Sequence, residues 1–324
     1  MTTYEGIAYV LFGNKTRPFG DIDMLNFVSG NSVGFAIIGA ANYRVGQSVS
    51  GAGDVNGDGY DDVVIGTAPT GAESNKGFAF VIFGHSSSTP FDEILVTSMG
   101  SKGFAISGQF ANDLLGRAVS GIGDFNGDGY DDVLVGAYGA DPSDQNSAGN
   151  AYMVLGHSNK TAFNEVTALM LVTTNVSGFA IVGYAQLATA GRAVGKAGDV
   201  NGDGFADCIV SAPNERPAPN KGITGVVYVI FGRAVVGNIY LNSFVSSATN
   251  GFRVMGAATS DSLAFAVGFA GDINGDSYGD IILGAHLADP KGRNAAGTVY
   301  VLFGHSHLTP FVDVNLTSFV PGPT

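Results

Sequence analysis

The 324-residue chain is 45% hydrophobic and 13% charged, with 49 glycines and a formal net charge of −13, so it can bury a sizeable core and offers no basic footprint for nucleic acid. Its single cysteine rules out an intrachain disulfide framework, and no apolar run reaches the ~18 residues of a membrane-spanning helix. Abundant glycine with few charges predicts short strands, tight turns and little helix.

From the N-terminus, Met1-Thr-Thr-Tyr-Glu lacks the basic-then-apolar pattern of a secretion signal. Two apolar runs follow, Ile7-Ala-Tyr-Val-Leu-Phe-Gly and Gly34-Phe-Ala-Ile-Ile-Gly. They foreshadow two strand types, here C and D, of a unit that then repeats. Each unit opens with an A strand (Gly46-Gln-Ser-Val-Ser-Gly is the first), passes through an acidic loop, and leaves it by a B strand (Val63-Val-Ile-Gly). A C strand (Phe78-Ala-Phe-Val-Ile-Phe-Gly) and a D strand (Gly103-Phe-Ala-Ile-Ser-Gly) complete it. The acidic loops are 54–62, 124–132, 199–207 and 272–280, so the interval is about 73 residues, the length of a four-stranded sheet with generous loops. The expected fold is all-β: one β-propeller domain over 1–324, built of four-stranded antiparallel blades, with four full repeats and an N-terminal half-blade.

The strand inventory is unbalanced, with four A, four B, five C and four D strands, because the last repeat lacks a D strand. The reading favours closure within the chain, the N-terminal D strand at Gly34 completing the last blade and the strand at Ile7 displaced. Otherwise the terminal strands pair with another subunit, head to tail.

The acidic loops follow Asp-x-Asn-x-Asp-(Gly/Ser)-x-x-Asp, which brings side-chain oxygens from alternate positions of a tight turn onto one hard cation. In the first loop Asp54, Asn56, Asp58 and Asp62 supply side chains and Tyr60 its carbonyl. The same roles fall on Asp124, Asn126, Asp128, Tyr130 and Asp132, on Asp199, Asn201, Asp203, Phe205 and Asp207, and on Asp272, Asn274, Asp276, Tyr278 and Asp280. An EF-hand is excluded, because its glutamate at loop position 12 is replaced by Ile65, Val135, Val210 and Leu283. About four Ca²⁺ ions, one per repeat, are therefore expected. Ser277 stands where the other loops have glycine and should strain that turn.

The loop, its following apolar strand, and Gly66-Thr-Ala-Pro, Gly136-Ala-Tyr, Ser211-Ala-Pro and Gly284-Ala-His resemble the FG-GAP repeat of integrin α-subunit N-terminal domains and related microbial surface proteins. The resemblance implies a propeller with calcium in its A–B hairpins, extracellular or cell-surface exposure, and a role in adhesion or assembly toward a protein or glycan partner. Integrin propellers have seven blades, whereas this chain has four motifs. An alternative is the accessory propeller of a larger secreted enzyme. No catalytic constellation appears: His85, His157 and His305 recur in equivalent Gly-His-Ser turns after the C strand, and a catalytic group is needed once. Cys208 reads as a buried hydrophobe, and Asn14, Asn159, Asn175 and Asn315 head glycosylation sequons. Neither nucleic-acid binding nor membrane insertion is expected.

Overall fold

The computed structural model describes residues 5–13, 21–30, 33–68, 76–158, 166–174, 177–218 and 221–319. Their strands form five sheets in series, three of five strands and two of three. The second sheet is typical. Ser48–Gly53, Asp62–Gly66, Phe78–Ile82 and Gly103–Ser107 pair antiparallel in sequence order, which is the expected A-B-C-D blade. The third is built the same way from Ala118–Gly123, Asp132–Ala137, Asn150–Val154 and Gly178–Val182, and the fourth from Val194–Gly198, Asp207–Ala212, Val226–Ile230 and Gly251–Met255.

A fifth strand, two residues long, runs parallel to each D strand on its outer edge. Val166–Thr167 serves the second sheet, Ile239–Tyr240 the third and Val314–Asn315 the fourth. Each comes from the segment that follows the C strand of the next blade, so that blade hooks onto its predecessor and covers the edge of the predecessor's D strand. Ile94–Leu95 does the same for the first sheet. One short α-helix, Ala168–Thr173, begins at Thr167, whose hydroxyl accepts the Met170 N–H.

The core lies between sheets rather than within any one of them. Val64, Val81, Phe104 and Ile106 of the second sheet meet Val133, Val135 and Tyr152 of the third, and comparable layers join the third to the fourth and the fourth to the fifth. The B strands of the third and fourth sheets are buried throughout, covered on both faces as expected of inner strands. Cys208 sits in one of them, fully buried, and that burial pushes its thiol up, making it inert.

The ends depart from the expectation of closure within the chain. Gly34–Ile38 does not complete the last blade; it pairs with Ile7–Leu11, which is not displaced, and with Ile94–Leu95 to make the first sheet. The last sheet has only A, B and C strands, Leu263–Gly271, Asp280–Ala285 and Thr298–Leu302. Among the described residues no strand pairing joins the two. The physical reason is proximity in sequence: Ile7–Leu11 reaches that edge through a short connection, at lower closure entropy than Thr298–Leu302, which is some 260 residues away.

Candidate metal centres

Each acidic loop is the hairpin between an A and a B strand, and its first aspartate folds the turn. Asp124 Oδ1 accepts the N–H of Gly127 and Asp128 while Oδ2 accepts that of Gly129, at 2.6, 3.1 and 2.8 Å. Asp199 repeats this with Gly202, Asp203 and Gly204, and Asp272 with Gly275, Asp276 and Ser277. Asp54 accepts from Asp58 and Gly59. The fifth-position carboxylates Asp58, Asp128, Asp203 and Asp276 accept the N–H of Tyr60, Tyr130, Phe205 and Tyr278. The turn is a left-handed one: Gly59, Gly129 and Gly204 have φ of 85°, 90° and 92°, and Ser277, with φ 74°, adopts the same conformation with a side chain.

The ninth-position aspartates have a role that the spacing did not disclose. Asp62, Asp132, Asp207 and Asp280 are buried, and each spends both oxygens on backbone N–H groups. One bond goes back to loop position two (Val55, Phe125, Val200, Ile273), and the other reaches the glycine after the C strand (Gly84, Gly156, Gly232, Gly304). They clasp the A–B hairpin to the C strand. Burial pushes the carboxyl of Asp62 up to about 7 and that of Asp132 to about 8, and lifts Asp207 well above the ordinary carboxylate range. The nearby first- and fifth-position aspartates add to each rise, while the two N–H groups oppose it.

With their oxygens turned to backbone N–H groups, no three acidic or imidazole side chains stand together as a preformed cage among the described residues. The donor set nevertheless fits a hard cation: carboxylate and amide oxygens, with no sulfur or imidazole at the ligand positions. The third-position asparagines add a structural observation. Asn126, Asn201 and Asn274 each donate Nδ2–H to the fifth-position carboxylate at 2.8 Å. Asn56 instead is 2% exposed, and neither its oxygen nor its nitrogen has a hydrogen-bond partner. A buried amide without partners costs about 1–3 kcal/mol, and a ligand in this loop would relieve that cost at its oxygen.

The histidines take structural positions. The rings of His85 and His305 stack on Phe91 and Phe311 with centroids 3.9 and 3.8 Å apart, and the backbone N–H of His157 and His305 donates to loop position two of the preceding repeat, Val55 and Val200.

The FG-GAP repeat family matches residues 45–81, 115–153, 190–230 and 265–302, each match running from an A strand through its acidic loop to a C strand. The chain is an integrin-alpha-like FG-GAP repeat domain. It is 27% identical to integrin alpha-4 of Xenopus laevis over 289 residues, which is 88% of this chain and 23% of the relative. It is 30% identical to integrin alpha-PS2 of Drosophila melanogaster over 190 residues, 57% of the chain and 12% of that protein. Against integrin alpha-2 of Mus musculus the figure is 34% over 103 residues, 31% and 8% of the respective lengths. The chain thus spans less than a quarter of the length of these relatives. Among the described residues no helix is long and apolar enough to cross a membrane.

Proposed function

We propose that this chain is a single calcium-binding propeller domain, exposed outside the cell, that presents a blade surface to a protein or glycan partner and has no catalytic activity of its own. The orphaned buried amide of Asn56, inside a loop that already holds Asp54, Asp58 and Asp62, carries the calcium assignment. Side-chain oxygens of the first, third, fifth and ninth positions would hold each ion, with the carbonyl of Tyr60, Tyr130, Phe205 or Tyr278. The cation neutralises the carboxylates. Four such ions bring the formal charge from −13 to about −5. The integrin relationship supports adhesion or assembly, and self-association through the terminal strands belongs to the same reading. Of the four sequons, Asn315 is exposed at the end of an outer strand and is the described position at which a glycan would be carried, whereas Asn14, Asn159 and Asn175 lie outside the described residues.

Calorimetric titration of the metal-stripped chain tests this directly. About four Ca²⁺ per chain are expected, and chelator should lower the melting temperature, since an ion at 100 times its Kd adds about 2.7 kcal/mol per site. A melting curve indifferent to chelator would refute structural calcium.

A further inference from the structure

The contact between successive blades is built three times in the same way. Position one of each loop has its carbonyl held by the next blade: Asp54 by the Asp131 N–H, Asp124 by Ala206, Asp199 by Gly279. Position two is held likewise, Val55 by His157, Phe125 by Arg233 and Val200 by His305. An aromatic ring of the next loop covers the fourth-position glycine. Tyr130 lies on Gly57, Phe205 on Gly127 and Tyr278 on Gly202, each so close that an added Cβ would fall 2.3–2.5 Å from the ring. In the first of these contacts Asp131 also accepts the Asp54 N–H at 2.8 Å.

The first and last sheets of the described residues each display one half of this contact. On the last blade the socket is open: a Cβ added at Gly275 would meet nothing within 4 Å, and Asp272 and Ile273 carbonyls receive no equivalent bond among the described residues. Ile273 is 57% exposed, whereas its counterparts Val55, Phe125 and Val200 are at most 1% exposed. At the other end the knob is bare. Tyr60 is 43% exposed, Asp61 is exposed beside it, and a 150 Å³ pocket opens between them and Phe12, where a preceding acidic loop would sit.

The strand edges match in the same sense. Tyr300 of Thr298–Leu302 pairs with Leu283 on one side, and Tyr9 of Ile7–Leu11 pairs with Ala36 on the other. In complete blades a single residue does both: Tyr152 faces Val135 and Ala180. Ile7-Ala-Tyr-Val-Leu-Phe-Gly and Thr298-Val-Tyr-Val-Leu-Phe-Gly are identical at five of seven positions, so the second can stand in for the first.

We infer that the last sheet of one copy completes the first sheet of a second copy, head to tail. Loop 272–280 receives Tyr60 and Asp61, and Thr298–Leu302 replaces Ile7–Leu11 against Gly34–Ile38. The inference rests on the self-association reading above and specifies its surfaces and its occupant. The two surfaces differ, so the contact is heterologous and propagates into a ring or an open filament.

Sedimentation velocity of the full chain in calcium tests it. Species larger than a monomer should grow with concentration. Ile273→Glu, which blocks the socket, and Tyr60→Arg, which blocks the knob, should each weaken assembly by roughly tenfold or more, as expected for changes at the centre of an interface. Neither residue is buried, and circular dichroism checks that both variants fold. Mixed together, the two variants should form a one-to-one dimer and nothing larger, because each keeps one intact end. A chain that stays monomeric at every concentration overturns the inference, as does assembly unchanged in both variants. Calcium titration of Ile273→Glu keeps the two readings apart: bound calcium with lost assembly supports both, whereas a full chain that assembles without binding calcium defeats the calcium assignment alone.

Discussion

Two residues carry local costs that a substitution can measure. Ser277 holds a left-handed φ where the other loops use glycine, and a Cβ at Gly59, Gly129 or Gly204 would meet nothing within 4 Å. The cost is therefore backbone strain alone, ~1–2 kcal/mol, from which glycine's extra unfolded-state entropy of ~0.5–1 kcal/mol must be subtracted. Ser277→Gly should stabilise the chain by roughly 0.5 kcal/mol in urea denaturation, and a loss would show that the serine hydroxyl makes up for the strain. Glu215 is the other. It is 2% exposed and accepts the hydroxyls of Tyr228 and Tyr184 at 2.7 and 3.0 Å. Burial pushes its carboxyl up, against the two hydroxyls and the nearby Arg253, which pull it down. Its folded value thus lies above the unfolded value of ~4.3, so between the two the native state binds the extra proton and stability falls as pH rises through that window. Glu215→Gln keeps an oxygen for both hydroxyls and removes this slope. Its stability relative to the parent should improve from pH 4 toward neutrality, whereas a difference independent of pH would mean that the carboxyl is not titrating in the fold.

The hairpin was legible in outline and misleading in one detail. Spacing alone located all four A-to-B loops, because nine-residue motifs recurring every 70–75 residues need no tertiary information, and the strand runs around them matched the observed elements. The parallel outer strands escaped, since two residues such as Ile94–Leu95 are too short to show any period. The ninth-position aspartates escaped in part: chemistry marked them as ligands, but only the fold shows that each also ties its hairpin to a C strand. That tie separates two substitutions. Asp132→Asn places an amide NH₂ against the Phe125 or Gly156 N–H in a buried site and should cost about 1–3 kcal/mol with or without calcium. Asp128→Ala removes an exposed acceptor of the Tyr130 N–H and the Asn126 amide. Its cost should appear mainly when calcium is present. Denaturation of both variants in calcium and in chelator gives the comparison, and equal calcium dependence of the two would remove the distinction.

At the scale of the molecule, each hydrophobic layer among the described residues joins one blade to the next, so stability is a sum of blade terms and interface terms, as in other repeat arrays. Closure was not legible because it depends on the rotation between blades, which no local motif encodes, and on which of two nearly identical strands occupies one edge. The serial arrangement makes the A and B strands of the last blade the weakest of the four pairs. Its B strand exposes Ile282, its loop carbonyls lack, among the described residues, the bonds that hold the three others, and its loop contains the strained Ser277. In the monomeric chain hydrogen exchange should therefore be fastest, among the A and B strands, in Leu263–Gly271 and Asp280–Ala285, and slowest in the third sheet, which has a complete blade on either side. Chelation should extend the loss of protection first to loop 272–280 and then inward to loop 199–207, whose carbonyls the last blade holds through Gly279 and His305. A uniform rise in exchange across all four hairpins would instead mean that the blades open as one cooperative unit, and the serial account of stability would fail.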